Sequence, residues 1–289
     1  MFSTGRIYAL LAYGSWGLLP MYWKLFAQSS PIEVLCHRLI WSLVFLGGLL
    51  LLQQRQAEIQ TLIKSRQSLG LLLGSATLLT CNWGLYIYGV NTDQVVETSL
   101  GYYINPLVSV LLGFVVLKEP LNRGQQIAVG LAAIGVGYFV WQFGTIPWIA
   151  LGLAFTFAFY GLVRKVLAVA PLVGLTVETL LIMPLAVTLV VYWGATGEGS
   201  FGLSLPLTLL FVGAGIVTSM PLLWFNNAAK RLRLSTLGLF QYLAPSVQLL
   251  LGVFLYGESF TPTHIITFCF IWTALLLYSI TSLMGQRLT

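Results

Sequence analysis

Arg38 and Glu178 are a cation and an anion set inside long apolar runs. Ionisable groups are costly in hydrocarbon and normally face a bundle interior, a partner or a solute path, so each marks a candidate site. Each stands seven residues after a proline, Pro31 or Pro171. Two chemistries fit this pair. Arg38 can hold the carboxylate of a solute while Glu178 binds its amine, or Glu178 can take up a coupling proton. The structural alternative is that both cap broken helices or pair with backbone carbonyls.

Further polar and aromatic residues lie in neighbouring apolar runs. Asn82, Tyr86, Tyr102, Asn105, Gln241 and Gln248, with Trp16 and Trp224, could line an aromatic and amide pocket for a small amphipathic or aromatic solute, including a cation on ring faces. The other use of the same groups is hydrogen bonding and packing between helices. Glu33 and His37 are four residues apart and could interact on one helix face. His37 could report outside acidity or bridge to Glu33 or Lys24. With only His37 and His264, a His-rich metal site is excluded. GxSxG, HExxH, P-loop and paired intramembrane aspartates are absent. The expectation is therefore no enzyme and no cofactor. Cys36, Cys81 and Cys269 lie in apolar runs without metal or redox spacing and read as small packing residues.

What positions these residues follows from composition. With 58% hydrophobic residues, 8% charged and a mean hydropathy of +0.89, a chain of 289 residues cannot cover its surface with polar groups. In lipid every backbone amide must be satisfied internally, and apolar runs about 20 residues long without alternation read as helices. Ten spans are expected: 5–25, 33–53, 69–90, 96–117, 124–142, 147–166, 173–193, 205–226, 235–256 and 263–284. The only sizeable connection, 54–68, reads as a polar, basic loop. The first run reads as the first span, not as a cleaved leader. Trp23, Trp141, Trp148 and Trp193 fall near span ends and read as interfacial anchors.

Charge tests the count. With both termini inside, the inner segments hold Arg6, Arg55, Lys64, Arg66, Lys118, Arg123, Arg164, Lys165, Lys230, Arg231, Arg233 and Arg287, which is 12 of the 14 Lys and Arg residues. Lys24 and Arg38 are the exceptions. The net charge of +6 thus records topology and argues against a nucleic-acid partner.

A duplicated motif sets the organisation. Pro106, Gly113 and Glu119 recur as Pro245, Gly252 and Glu258, both reading P-x6-G-x5-E at the end of the fourth run of a five-run half. Ser99-Leu100-Gly101 parallels Thr236-Leu237-Gly238, and Pro31 pairs with Pro171. An odd-numbered unit must insert upside down the second time. The expected architecture is an all-α integral membrane protein of ten helices in two inverted repeats, 1–142 and 143–289. Arg38 and Glu178 then occupy equivalent positions, each about 10 Å deep from opposite faces. Glu119 and Glu258 read as caps for the helices that follow them, near Arg123 and Thr263. Pro20, Pro106, Pro184, Pro221 and Pro245 are places where a span can bend.

The Pro-Gly-Glu endings, Gly130 and Gly135 after Glu119, and the ten-span repeat resemble the EamA branch of the drug/metabolite transporter superfamily. The block Tyr13-Gly14-Ser15-Trp16-Gly17-Leu18-Leu19-Pro20-Met21-Tyr22-Trp23-Lys24, with Glu33 and His37-Arg38-Leu39-Ile40-Trp41-Ser42, is similar to RarD-type permeases. Cys269 and Ala274 replace the two glycines in the second half, so their close packing does not carry over to the last span. The resemblance implies an inner-membrane permease that moves small metabolites or drugs, commonly outward, through a central cavity between the halves. Inverted repeats support alternating access to a midplane site on physical grounds. A lipid flippase or a membrane sensor on the same scaffold is the alternative. Partners are then a small-molecule substrate and the bilayer, and Gly70 with Gly74, or Ala133 with Gly137, leave monomer and homodimer open.

Overall fold

A computed structural model describes residues 4–285 except 119, 168, 230 and 233–239. Expectations for Glu119, Lys230, Arg233, Thr236-Leu237-Gly238 and Arg287 therefore lie outside the described residues. The described chain is helical: α1 (Thr4–Trp23), α2 (Pro31–Leu52), α3 (Gln56–Lys64), α4 (Arg66–Asn91), α5 (Val95–Leu117), α6 (Arg123–Phe143), α7 (Trp148–Val166), α8 (Pro171–Thr196), α9 (Leu205–Ala229), α10 (Leu243–Leu250) and α11 (Pro262–Gly285). Among the described residues seven helices, α2, α4, α5, α6, α8, α9 and α11, are long and apolar enough to cross a membrane, and α7 and α10 are shorter apolar helices.

Local sequence explains the boundaries. Pro31 and Pro171 occupy the first turns of α2 and α8, where a missing amide costs nothing. Asn122 and Gln125 form a reciprocal capping box at the start of α6. Pro20, Pro106, Pro184 and Pro221 lie inside continuous helices. Segment 54–68 is not a plain loop. It carries α3, opened by an Arg55–Glu58 ion pair, and Ile59 and Leu62 on α3 pack against Leu72, Leu167 and Val177.

α2 packs on α8, α9 and α4, while α5 and α4 pack on α7, α1 packs on α9 and α10, and α6 packs on α11. Close approach is purchased with small residues. A Cβ at Gly215 on α9 would overlap the Trp41 carbonyl of α2. A Cβ at Gly70, Gly74 or Gly137 would meet nothing among the described residues, so these three glycines do not serve close packing there. Cys36 is buried, whereas Cys81 and Cys269 are exposed on their helices, so a packing role suits Cys36 alone.

Candidate functional site

α2 carries Arg38 into the interior, where the residue is 4% exposed. Its guanidinium lies 4.0 Å from the ring centroid of Trp83 on α4 and 4.9 Å from that of Trp23 at the end of α1. A guanidinium is weakly hydrated and stacks well on aromatic faces, so the rings replace part of its lost water. They leave its edge unsatisfied. Nε and Nη1 have no hydrogen-bond partner among the described residues, and neither does the Tyr86 hydroxyl. Tyr86 and Tyr102 are within electrostatic reach of the cation and meet edge to face at 5.7 Å.

This cluster corrects one expectation. Trp23 is fully buried, not an interfacial anchor, because it packs among Tyr22, Phe26 and the Arg38 guanidinium. Trp141 and Trp148 do project outward, at 79% and 53% exposure. Trp83 was not singled out in the sequence. A tryptophan one turn from Tyr86, facing a buried arginine on the next helix, leaves no local pattern.

Glu178 on α8 belongs to a different cluster. It is 1% exposed and takes a 2.6 Å hydrogen bond from the Ser75 hydroxyl of α4. The Tyr160 hydroxyl at 3.4 Å and Arg164 Nη1 at 3.5 Å, both from α7, complete its shell. Glu178 therefore pairs with Arg164 and not with Arg38. Arg164 read as an inner-side charge at the end of the 147–166 span; it does lie in the last turns of α7, and it reaches back to a carboxylate in the bundle. Ser75, Tyr160 and Arg164 carried no signal beyond their residue types.

The amides are committed elsewhere. Asn82 Nδ2 donates to the Leu153 carbonyl and to Thr156 Oγ1, each at 3.0 Å, and Asn105 Nδ2 donates to the Ala154 carbonyl at 3.2 Å. Both hold α7. Gln248 Nε2 donates to the Trp16 carbonyl at 3.0 Å, and Trp16 packs with Tyr13 and Phe225. Asn82 Oδ1 and Gln248 Oε1 are buried without a partner among the described residues. Trp224 and Gln241 are half-buried. The aromatic and amide groups expected to line one pocket are thus divided among an Arg38 cluster with Tyr86 and Tyr102, the α7 seam with Asn82 and Asn105, and a Trp16 cluster with Gln248.

His37 stacks on Phe201 at 4.4 Å and leans on Phe211 at 4.5 Å. Neither ring nitrogen has a partner among the described residues, so the bridges to Glu33 and Lys24 do not form. Lys24 instead pairs with Asp93. Glu33 is occupied instead as an acceptor of loop amides, and Glu97 and Glu258 accept amides at helix starts. Glu33 accepts from the Ser200 and Phe201 amides at 2.6 and 3.0 Å, ahead of α9. Glu97 accepts from Ile149 and Ala150 at 3.0 and 3.3 Å, at the start of α7. Glu258 accepts from Val95 and Val96, both at 2.7 Å, at the start of α5. All three lie on one face and join residues 1–142 to residues 143–289.

The duplicated motif acquires a geometry here. In the first copy, Lys118 adopts φ 57° and donates to the Gly113 carbonyl, closing the helix that contains Pro106. In the second, Pro245 opens α10, whose carbonyl accepts from Ser99 at 2.7 Å. The helix then widens into a π turn over Leu251–Leu255, and the Glu258 amide returns to the Gly252 carbonyl at 2.9 Å. A Cβ at Gly252 would stand 2.9 Å from Val96 Cγ2 and 3.1 Å from its amide. Gly252 is therefore the position that admits α5 beneath the turn. The carboxylate caps α5, not the following α11, because the turn points it back across the bundle. Burial raises the Glu258 carboxyl pKa above its ordinary value, with the Val96 and Val95 amides and Lys24 opposing and Asp93 adding to the rise.

Comparison with known proteins places this arrangement. Residues 3–141 match the EamA-like transporter family. The chain is 44% identical over 286 residues to Protein RarD of Escherichia coli, covering 99% of this chain and 97% of that protein. It is 44% identical to an uncharacterized transporter of Vibrio cholerae, covering 97% and 93%. A protein of Pseudomonas aeruginosa named chloramphenicol-sensitive protein RarD is 27% identical, over 95% and 93% of the two chains. A crystal structure 18% identical in sequence superposes with a TM-score of 0.62 over 96% of this chain and 98% of the other, which shows a shared fold. Apolar helices of membrane-spanning length and 44% identity over nearly the whole length to Protein RarD and to an uncharacterized transporter lead to one assignment: the chain belongs to the RarD-type permeases of the EamA-like transporter family.

Proposed function

We propose that the chain is a secondary active permease whose ten spans form two inverted repeats, 1–142 and 143–289, with both termini cytoplasmic in the inner membrane. It moves small metabolites or drugs, amino-acid-like or aromatic amphipathic solutes, by alternating access. The helix neighbours support the repeat. α4 packs on α7 as α9 packs on α1; α5 packs on α7 as α10 packs on α1; and α2 packs on α9 as α8 packs on α4. The pairs α2 with α8, α5 with α10 and α6 with α11 stand across the axis that relates these contacts.

The observation that carries the function is the pair of buried charged clusters. Arg38 and Glu178 follow helix-opening prolines at equal distance and sit in separate shells toward opposite faces. On this reading the Glu33, Glu97 and Glu258 carboxylates, each accepting backbone amides from the other half, form the closure on the Glu33 face. At the other end Leu72, Leu167 and Val177, flanked by Ile59 and Leu62, pack one residue or one turn from Ser75 and Glu178. Opening these two closures in turn would expose first one cluster and then the other.

Proton-coupled export through Glu178 completes the reading, since a carboxylate held by Ser75, Tyr160 and Arg164 can exchange its ion pair for a proton when α7 and α8 separate. Glu178→Gln in proteoliposomes is expected to abolish the pH dependence of solute counterflow. An unchanged pH profile would remove proton coupling through this residue.

A further inference from the structure

Arg38 is a buried guanidinium with no anionic partner among the described residues. Among the described residues the ion pairs are Lys24 with Asp93, Arg55 with Glu58 and Arg164 with Glu178. A buried charge normally has a partner, because its desolvation otherwise costs several kcal/mol. Aromatic faces offset only part of that cost, and two guanidinium N–H groups remain free. Every free group named on this cluster can donate: Arg38 Nε and Nη1 and Trp23 Nε1 can only donate, and the Tyr86 hydroxyl can donate as well as accept.

Glu178, the one carboxylate that could have served a substrate amine beside Arg38, is taken by Arg164 and Ser75. The geometry points to a monoanion site: the missing partner of Arg38 is the carboxylate of a small aromatic solute, recognised without any contribution from an amine. This rests on the permease reading and narrows its cargo from zwitterions to carboxylates. The oxygens would take the guanidinium edge, for which a planar fork is suited, with Tyr86 as an additional donor. The ring of the solute would meet the Trp23, Trp83, Tyr86 and Tyr102 surfaces.

The test uses the purified full-length chain and an isosteric series: phenylacetate, phenethylammonium and phenylethanol, with chloride and inorganic phosphate as separate arms. Binding is read by calorimetry and by thermal stabilisation. Phenylacetate is expected to bind saturably, and the ammonium and the alcohol to bind about tenfold or more weakly, because each lacks the charge-assisted contact. Arg38→Gln should abolish the preference, Arg38→Lys should weaken phenylacetate while keeping its rank, and Tyr86→Phe should weaken it less. The lysine and phenylalanine variants keep the test decisive if the glutamine variant does not fold.

Equal binding of the alcohol or the ammonium, no binding of phenylacetate, or displacement of nothing but chloride or phosphate overturns the site. Flux in proteoliposomes separates this from the broader reading. Arg38-dependent phenylacetate binding without flux keeps the anion site and counts against the permease. Saturable flux of phenethylammonium that Arg38→Lys does not alter keeps the permease and overturns the anion site.

Discussion

Glu258→Ala tests whether a residue late in the chain fastens a helix early in it. Both carboxylate oxygens accept backbone amides at 2.7 Å, from Val95 and Val96. Charge-assisted bonds of this kind are worth about 1.5–3 kcal/mol each where nothing replaces them. Here something does. The turn borders an open cavity of about 390 Å³, lined by Asp93, Gln94, Glu97, Tyr256 and Ser259 among others, so water reaches the freed amides. The loss then approaches that of an ordinary helix cap, about 1–2 kcal/mol. That raises the opening equilibrium at the start of α5 about 5- to 30-fold. Hydrogen exchange read by mass spectrometry should show this acceleration over residues 95–98 and none at the start of α11. Faster exchange at residues 262–266 instead, or no change at α5, would refute the cross-bundle cap and restore the local one.

Three further outcomes follow from the same geometry. Arg164→Gln leaves Glu178 buried with only Ser75 and Tyr160, and should lower stability by about 3 kcal/mol, with Glu178→Gln in the same chain restoring most of it in a thermal-unfolding cycle. Gly215→Ala drives a methyl into the Trp41 carbonyl and should cost at least about 1–3 kcal/mol, whereas the same change at Gly137, which meets nothing, should cost less than about 0.5 kcal/mol in the same assay. Because the folded chain raises the Glu258 carboxyl above its ordinary value, that group's contribution to stability is full at pH below the ordinary carboxylate range. It declines as pH rises through the raised value, and Glu258→Gln should flatten that part of the stability profile.

The helices were readable because apolar length and opening prolines are local properties: Pro31 and Pro171 begin α2 and α8 as their positions suggested. The residues around the charges were readable only in part. Arg38 and Glu178 stand out because charge in an apolar run is rare, but their partners are ordinary residues on other helices. Trp23 sits at a span end, where tryptophan usually meets headgroups, and only its contacts with Phe26 and Arg38 distinguish it. Arg164 sits where basic residues usually mark the inner face, so its reach to Glu178 was hidden by a correct general rule. Glu258 looked like a cap for its successor because sequence shows neighbours along the chain and not across it. The amphipathic α3 was hidden by its charges, which made the whole segment read as loop.

α7 receives an unusual share of its neighbours' polar groups. Asn82 and Asn105 donate to its carbonyls, and Glu97 accepts its first amides. All three donors and acceptors are made before α7 leaves the ribosome, and α7 is one of the shorter apolar helices. If α7 spans the bilayer as proposed, the Asn82 and Asn105 amides exist before their α7 partners do, and hydrocarbon penalises such unmet groups. The arrival of α7 relieves that penalty. On the ten-span reading, the helix with the weaker apolar claim on the membrane would be held by bonds whose donors and acceptors come earlier in the chain.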